Sequence, residues 1–483
     1  MKKQLLSLVA VLGALILNAQ VTLVKEINDQ GTSNSSPANL TVHNGKIFFA
    51  GDDSNGSNTP GGADLGKELW VTDGTSTGTT FVKDVRTGSS GSNPFNLFSF
   101  NNKLYFTAFD TSSELWTSDG TEAGTTKVDI MPSITGEAPQ RFVEFDGLAY
   151  FTVGSQPGST TQETVNKLVQ WDGVNDAEQV ADVGAGFETV LQDMIVFNNQ
   201  IFMYMNYSTD DATVGNELYA YNPTTDTFTL IKDIDAGTGD SSISNFTILG
   251  STLYFEADNA LWKTDGTTGG TIAVAPASTL AGIANLYAWN SLLFFEGDDG
   301  TNGDQLYVYN PTLETVTNIS NISGSNNDHN PGDYAAYNGY LYYSGSGATN
   351  SNKYLFRTDG AIISQIDATI KDIDEITVLN DMLYFEGDNG STGNELYSFD
   401  PSTLSIKNAK AEIISIYPNP TTDYIIVPTS LLNRNYTIHD VTGKQVSEGA
   451  ISSEKIELNL NNGMYLLHIK TDLSTITKKI LVK

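Results

Sequence analysis

Short runs of alternating apolar and polar residues follow one another along most of the chain, and most runs end at glycine, asparagine or aspartate. Such alternation, with aromatic and β-branched residues in the runs, is typical of β-strands joined by tight turns. A phrase of strand, two-residue turn and strand, for example "FSFNNKLYFTA" at Phe98–Ala108, occurs eight times. The chain is therefore expected to be all-β and built from repeats.

One small or aliphatic residue marks the middle of each copy, and neighbouring copies lie roughly 40 to 57 residues apart, a period typical of β-propeller blades. These residues are Ile47, Leu104, Ala149, Ile201, Leu253, Leu293, Leu341 and Leu383. A second hairpin follows each phrase, so each repeat predicts a four-stranded antiparallel sheet that must stack on its neighbours to bury both faces. We predict an eight-bladed β-propeller, with seven blades as the alternative.

The second hairpin is written with two kinds of turn. Three copies read "ELWVTDGT", "ELWTSDGT" and "ALWKTDGT" and reverse at Asp-Gly, whereas three others reverse at Asn-Pro or Asp-Pro. Both dipeptides suit a tight turn. A large aromatic residue precedes each turn and is expected to wedge between neighbouring sheets: Trp70, Trp116 and Trp262 in the first group, and Tyr219, Tyr307 and Tyr397 in the second.

The first segment after residue 20 resembles the last strand of a repeat. It reads "VTLVKEIND" at Val21–Asp29, close to "TTFVKDV" at Thr79–Val85. Because a propeller often completes its final blade with a strand from the other chain end, we predict that Val21–Asn28 pairs with the blade containing Thr377–Phe399. Leu404–Asn408 is the alternative occupant of that position.

The repeats resemble the bacterial ELWxxDGT repeat family, and "LYAYNPTTDTFTLI" is similar to a kelch motif. The resemblance covers about Val21 to Asn408 and implies a propeller. It implies no activity, because one fold hosts many functions.

The two ends of the chain differ from the repeats. Lys2 and Lys3, followed by an apolar run from Leu5 to Leu17, predict a signal peptide at residues 1–19. No later segment is apolar enough for a membrane helix. The propeller is expected at residues 20–410, and the alternating strands of residues 411–483 predict a small Ig-like β-sandwich.

The segment after residue 410 carries four motifs in order: Tyr417-Pro418-Asn419-Pro420, Asp440-Val441-Thr442-Gly443-Lys444, Gly463-Met464-Tyr465 and Lys478-Lys479-Ile480-Leu481-Val482. They resemble the type A C-terminal sorting domain of the type IX secretion system of Bacteroidetes. The resemblance implies the secretion machinery as a partner and passage through the periplasm. It also implies an extracellular or outer-membrane-surface location, with the body either released or tethered.

Composition narrows the partners. The absence of cysteine excludes disulfides and thiolate metal sites. The formal charge is −32, and it is concentrated before residue 411, since the later segment carries equal numbers of acidic and basic residues. A body this acidic repels phosphate groups, so no nucleic acid partner is expected.

Several second strands of the repeated phrase end in aspartate-rich loops, which are candidate calcium sites because hard oxygen ligands lie close together around glycine. The candidates are Asp52, Asp53, Asp298, Asp299, Asp304 and Asp388. The alternative interpretation is a surface loop whose aspartates cap turn amides. Calcium is the only candidate ion, and no cofactor is required.

No catalytic residue is predicted. The four histidines are far apart in sequence, and His329 in "NNDHNPGD" is expected to be a solvated loop residue. A glycosidase needs only a carboxylate pair, and 57 acidic residues leave that alternative open. The preferred function is an exported binding or adhesion protein for an extracellular glycan or protein, with Ser54–Gly66 and Gly154–Asn166 as contact loops. The alternatives are a glycan-degrading hydrolase or lyase and a structural surface-layer protein.

Overall fold

The computed structural model describes residues 21–54, 57–131, 138–154, 167–180, 188–207, 213–323, 328–404, 418–428, 431–432, 434–440, 443–470 and 475–483. Regular structure in these ranges is β-strand, apart from three short 3-10 turns at Pro60–Gly62, Ala275–Ala277 and Pro401–Leu404. The predicted all-β class is therefore confirmed. The predicted signal peptide, residues 1–19, lies outside the described residues.

Two compact units divide the chain, the first at Met1–Pro401 and the second at Ser402–Lys483. The boundary predicted after residue 410 lies outside the described residues. Each unit has its own sheets and its own hydrophobic core.

The first unit consists of four-stranded antiparallel sheets, numbered here 1 to 8 in chain order of their first strands. Strand β1 (Val21–Lys25) precedes them. Sheet 1 contains β2 (Ala38–His43), β3 (Lys46–Asp52), β4 (Lys67–Thr72) and β5 (Thr80–Lys83), and sheet 2 contains β6 (Phe95–Phe100), β7 (Lys103–Phe109), β8 (Ser113–Ser118) and β9 (Thr126–Val128). Sheet 3 contains β10 (Gln140–Phe145), β11 (Leu148–Val153), β12 (Lys167–Trp171) and β13 (Glu178–Gln179). Sheet 4 contains β14 (Glu188–Phe197), β15 (Gln200–Tyr207), β16 (Glu217–Asn222) and β17 (Thr227–Lys232).

The second half of the first unit repeats this arrangement. Sheet 5 contains β18 (Ser244–Leu249), β19 (Thr252–Ala257), β20 (Ala260–Thr264) and β21 (Ile272–Ala273), and sheet 6 contains β22 (Ala281–Trp289), β23 (Leu292–Asp298), β24 (Gln305–Asn310) and β25 (Thr315–Asn318). Sheet 7 contains β26 (Gly332–Tyr337), β27 (Tyr340–Ser346), β28 (Lys353–Thr358) and β29 (Ile363–Gln365). Sheet 8 contains β30 (Lys371–Leu379), β31 (Met382–Asp388) and β32 (Asn394–Phe399), and β1 completes it.

Consecutive sheets touch through their first strands. These contacts run from β2 to β6, β10, β14, β18, β22, β26 and β30, and β30 in turn contacts β2. Hydrophobic clusters fill the space between neighbouring sheets. One joins Phe48 and Leu69 of sheet 1 to Leu104 and Phe106 of sheet 2, all of them buried. Each such side chain contributes about 1.5–3 kcal/mol by leaving water, so stacking supplies most of the driving force for folding.

Strand β1 completes sheet 8, as predicted for the segment from Val21. It pairs antiparallel with β32, and Val21 lies opposite Phe399. Val24 and Leu396 join a hydrophobic cluster with Ile47 and Trp70 of sheet 1. The pairing covers the edge of β32, which would otherwise expose unpaired backbone groups. Residues 405–408 of the alternative strand, Leu404–Asn408, lie outside the described residues.

The predicted core positions are buried in every sheet. The eight central residues of the repeated phrase, from Ile47 to Leu383, are at most 1% exposed. Trp70 lies opposite Phe49, and Tyr397 occupies the corresponding place opposite Phe385. Trp and Tyr therefore hold one structural position in different sheets, as the sequence predicted.

The Asp-Gly-Thr turns have one hydrogen-bond scheme in all three copies. In sheet 1, Asp73 Oδ1 accepts bonds from the Thr75 amide at 2.9 Å and the Thr75 hydroxyl at 2.7 Å. The Gly78 amide donates to the Thr75 hydroxyl at 3.0 Å. A Cβ on Gly78 would lie 2.0 Å from Asp73 Oδ1, so only glycine fits there. The distances at Asp119 and Asp265 differ from these by at most 0.1 Å.

The second unit contains two sheets. A two-stranded sheet pairs β33 (Tyr424–Ile426) with β36 (Lys455–Glu457), and a four-stranded sheet has the order β35 (Gln445–Ala450), β34 (Asn435–Asp440), β37 (Gly463–Lys470) and β38 (Thr475–Val482). Apolar residues such as Ile425, Ile438 and Leu467, all fully buried, form one core. Tyr417, Val441 and Thr442 of the predicted tail motifs lie outside the described residues.

Candidate functional site

The first strands carry a ring of residues with unusual backbone geometry, here called the first-strand ring. In seven sheets the strand register shifts at this residue, and its φ is positive, between 50° and 59°. The members are Asn39, Asn96, Arg141, Asn245, Asn285, Asp333 and Glu375. Asparagine and aspartate tolerate this left-handed conformation better than most residues, which explains their prevalence in the ring.

Three ring asparagines, Asn39, Asn96 and Asn285, hydrogen-bond to the segment that leads into the next sheet. The Asn39 side-chain amide donates to the Pro94 carbonyl at 3.4 Å, and Asn285 donates to the Pro331 carbonyl at 3.1 Å. These prolines immediately precede the first strand of sheet 2 and of sheet 7. The first-strand ring therefore stabilises the contacts between neighbouring sheets, and its side chains also form a polar surface along the first strands.

A cavity of about 500 Å³, here called the first-strand cavity, lies among the first strands of sheets 2 to 6. Its lining includes Arg141 and the side chains of Phe98, Phe142 and Phe246. The rings of Phe98 and Phe142 stack with their centroids 3.7 Å apart. Arg141 lies 3.3 Å from the Thr152 hydroxyl, which accepts a bond from its guanidinium. The cavity thus presents aromatic groups, amides and one cation.

Three carboxylates that are buried or hydrogen-bonded lie on sheets 6 to 8, namely Glu296, Asp333 and Asp374. Asp333 and Asp374 share a hydrogen bond, and burial together with this bond raises the pKa of Asp374 to about 7. The Ser344 hydroxyl also donates to Asp333 at 2.6 Å. Burial raises the pKa of Glu296 to about 7 as well. A direct hydrogen bond places the two aspartates closer than the roughly 5–9.5 Å between the carboxyl groups of glycosidases.

The predicted calcium candidates fall into different environments. Asp298 and Asp299 cap turns by accepting the Gly300 amide at 2.7 Å and the Thr301 amide at 2.9 Å. Asp388 accepts the Gly390 amide at 2.6 Å and pairs with the Lys371 ammonium at 2.6 Å. These three aspartates therefore already have partners, in the arrangement of the alternative, turn-capping interpretation.

The remaining candidates carry perturbed acidities. Burial raises the pKa of Asp304, and the charges of Asp298 and Asp328 add to the effect. Burial likewise raises the pKa of Asp52, and raises that of Asp53 to about 6. Across the described residues, His, Cys, Asp and Glu side chains form no group of three that could hold a metal ion. Calcium binding stays a prediction.

His329 is not the solvated loop residue that its polar neighbours suggested. It is fully buried, and its ring nitrogens bond to the Ser346 carbonyl at 2.6 Å and the Tyr343 hydroxyl at 3.0 Å. Burial lowers the pKa of His329 to about 4. The expectation was wrong because strand β27 folds over the loop, a contact that local polarity does not reveal.

The predicted contact loops are only partly described. Residues 57–66 of Ser54–Gly66 lie within the described ranges, whereas residues 155–166 of Gly154–Asn166 lie outside them. Sequence reasoning also overlooked the first-strand ring. A signal for it exists, because proline stands two positions before Asn39, Asn96, Arg141 and Asp333.

Comparison with known families identifies the type of domain that the second unit contains. Residues 415–483 match the family of the secretion system C-terminal sorting domain. This segment is therefore a sorting tail of the kind that the type IX secretion system uses. A sorting tail of this type implies export to the cell surface or the extracellular space and interaction with the secretion system. Among the described residues, we find no helix with the length and apolar character required to span a bilayer.

Two solved hydrolases share distant similarity with the chain. A puromycin hydrolase matches 76% of this chain and 60% of its own at 11% identity and a TM-score of 0.46. A puromycin-hydrolysing peptidase of Mycobacterium tuberculosis matches 77% of this chain and 61% of its own at 10% identity and a TM-score of 0.44. The chain therefore spans about 60% of the length of these two proteins.

PorZ, a surface component of the type IX secretion system of Porphyromonas gingivalis, matches 93% of this chain and 75% of its own. Its identity is 12% and its TM-score 0.28. Similarities this distant support no conclusion about activity or partners. No curated protein matches the chain in sequence.

Proposed function

We propose that the protein is an exported, surface-acting binding protein whose first unit is an eight-bladed β-propeller of the ELWxxDGT type, and whose tail is an Ig-like β-sandwich. The blade count rests on eight four-stranded sheets whose first strands contact one another in succession, including β30 with β2. The repeat assignment rests on the shared hydrogen-bond scheme of the three Asp-Gly-Thr turns.

The first-strand cavity is the binding site in this proposal, and a glycan is its ligand. Its volume of about 500 Å³ falls in the usual range for small-molecule sites. The half-buried aromatic ring of Phe246 can stack on a sugar ring, while Arg141 and Asn96 can hydrogen-bond hydroxyl groups. This combination of aromatic and polar lining is the observation that carries the proposal.

A glycan array with the mature protein tests the binding site. Arg141→Asn removes the cation but places asparagine where four other sheets already have it in the same backbone conformation. We expect binding to weaken about tenfold, the effect of losing one charge-assisted hydrogen bond. Lys46→Asn, an exposed change outside the cavity, is the matched control. Unchanged binding by Arg141→Asn would overturn this site.

A glycan hydrolase is the second candidate, favoured by the raised pKa of Asp374, although its partner would have to be a carboxylate other than Asp333, which lies too close. With a pKa of about 7, Asp374 keeps its proton near neutral pH and suits a general acid. A hydrolysis screen with the wild type and Asp374→Asn separates the two functions. Turnover that disappears in Asp374→Asn favours the enzyme, and absence of both turnover and binding favours a structural surface-layer role.

A further inference from the structure

The segment after β1 meets the loop after β3 at a buried corner, here called the Asn28–Asp53 corner. Asn28 is 0% exposed and Asp53 is 1% exposed. The Asn28 side-chain amide donates to the Ser54 hydroxyl at 3.2 Å, next to Asp53 in the chain. Asn58 donates its backbone N–H to Asp53 Oδ2 at 2.9 Å and its side-chain amide to the Ile27 carbonyl at 2.9 Å. Asn28 and Asp53 are therefore held in one small region.

Two buried oxygens at this corner lack a donor. Asn28 Oδ1 and Asp53 Oδ1 have no hydrogen-bond partner in the described part of the chain. The orientation of the Asn28 amide is set by its nitrogen, which donates to the Asn34 carbonyl at 3.3 Å, a group that can only accept. An unpaired buried acceptor costs free energy, and an unpaired buried carboxylate oxygen costs more.

The corner also carries excess negative charge. The carboxylates of Asp29 and Asp52 lie near enough to Asp53 for their charges to act on it. Asp52 Oδ1 is itself buried without a partner in the described residues. Hydrogen bonds from Ser57 already occupy both carboxylate oxygens of Asp29. A bound cation would coordinate the two unpartnered oxygens and reduce the negative charge of this region.

We propose that the Asn28–Asp53 corner binds a calcium ion through Asn28 Oδ1 and Asp53 Oδ1, with water and main-chain oxygens completing its coordination. An amide and a carboxylate are hard oxygen ligands, which suit calcium. Histidine and cysteine, which transition metals favour, take no part. Asp298, Asp299 and Asp388 do not share these features, because Asp298 and Asp299 cap turns and Asp388 binds a lysine.

The site has a structural consequence beyond ligand recognition. The Asn28 backbone N–H donates to Glu395 of sheet 8 at 3.1 Å, while Asp53 follows strand β3 of sheet 1. A calcium ion at the corner would therefore join the segment that completes sheet 8 to sheet 1. The sorting tail implies export to the cell surface or the extracellular space, and extracellular modules commonly bind calcium with dissociation constants of about 10⁻⁴–10⁻³ M.

Thermal unfolding of the mature chain in calcium, in magnesium and in the chelator EGTA tests the proposal, together with calorimetric titration of calcium alone. We expect calcium about a hundredfold above its Kd to raise Tm by about 3 °C, and magnesium to do less. Asp53→Asn should lose this shift and still fold, because asparagine has the size of aspartate and its side-chain oxygen can still accept the Asn58 amide. Asp299→Asn, in a corresponding loop, should keep the shift.

Two results would overturn the proposal. One is a wild-type Tm that is equal in calcium and EGTA, with no heat of binding. The other is a calcium-dependent shift that persists in Asp53→Asn. A stability that falls as pH rises through about 6, independently of calcium and only when Asp53 is present, would also overturn it, because a proton and not an ion would then neutralise Asp53.

Discussion

Glu68 begins the first "ELW" phrase, and its replacement by glutamine tests why the repeat uses glutamate. Its side chain is fully buried and accepts bonds from the amides of Val85 and Arg86, each at 3.2 Å, and from Ser92. Ser92 donates through its amide at 2.8 Å and through its hydroxyl. Four donors therefore converge on one carboxylate, which joins sheet 1 to the segment leading to sheet 2.

Glu68→Gln replaces one accepting oxygen with an NH₂ group that faces a donor. The Ser92 hydroxyl can rotate to accept from that group, but the Val85 amide and one new N–H lose their partners. Each unsatisfied donor costs about 1–3 kcal/mol, and relief of the buried charge offsets part of it, which leaves about 2–4 kcal/mol. For a unit of this size, with an unfolding entropy of about 0.8 kcal/mol/K, Tm should fall by about 3–5 °C.

In sheet 6 the corresponding position is already glutamine, Gln305, so the opposite exchange can be tested there. Its Oε1 accepts the Ile322 amide at 2.7 Å, and its Nε2 donates to the carbonyls of Asn302 at 2.9 Å and Ile322 at 3.2 Å. Gln305→Glu should therefore also destabilise the fold, because two carbonyls would face a carboxylate oxygen. Glu144→Gln, at an exposed strand position, is the neutral control.

Burial raises the pKa of Glu68 to about 7, so the four proteins are compared at a pH above this value, where Glu68 is ionised. Scanning calorimetry measures these effects, with circular dichroism to confirm native strand content. We expect both buried exchanges to lower Tm and the exposed exchange to leave it within about 1 °C. If Glu68→Gln and Gln305→Glu are as stable as Glu144→Gln, the match between side chain and donor pattern does not govern this position.

Three further predictions concern the repeat. Gly270→Ala should destabilise sheet 5, because a Cβ there would lie 2.0 Å from Asp265 Oδ1. In Gly269→Ala the new Cβ would meet no atom within 4 Å, so this change should be tolerated. Urea unfolding compares the stability of the two variants. Burial raises the pKa of Glu217 to about 7, so the folded state retains a proton that the unfolded state has released. Stability relative to Glu217→Gln should therefore fall as pH rises from about 4.5 to 7, by on the order of 2 kcal/mol, and a pH-independent difference would contradict the reasoning. Trp70→Ala should lower the free energy of unfolding by about 3–5 kcal/mol, whereas Trp70→Tyr should lower it much less, because tyrosine holds this position in other sheets. Equal losses for the two variants in chemical denaturation would refute the equivalence of tryptophan and tyrosine here.

Several features followed from sequence alone because their causes are local. The Asp-Gly-Thr turn closes through bonds between residues within seven positions of one another, such as Thr72 and Thr79. Apolar alternation gave the core residues from Ile47 to Leu383, since successive strand residues face opposite sides. The resemblance of Val21–Asp29 to a last strand anticipated its pairing with β32, and the tail motifs anticipated the sorting domain.

Other features depended on strands that are distant in sequence. The bond between the Ile27 amide and Glu395 joins residues 368 positions apart, and no local pattern distinguishes that glutamate from an exposed one. Burial of His329 and the first-strand cavity likewise arise from stacking of separate sheets. The six aspartate candidates looked alike in sequence, yet a lysine, turn amides and burial gave them different environments. Sequence by itself determined strands, turns and the export tail, whereas the tertiary structure decided which polar groups lost their water, because burial is a property of the assembled sheets.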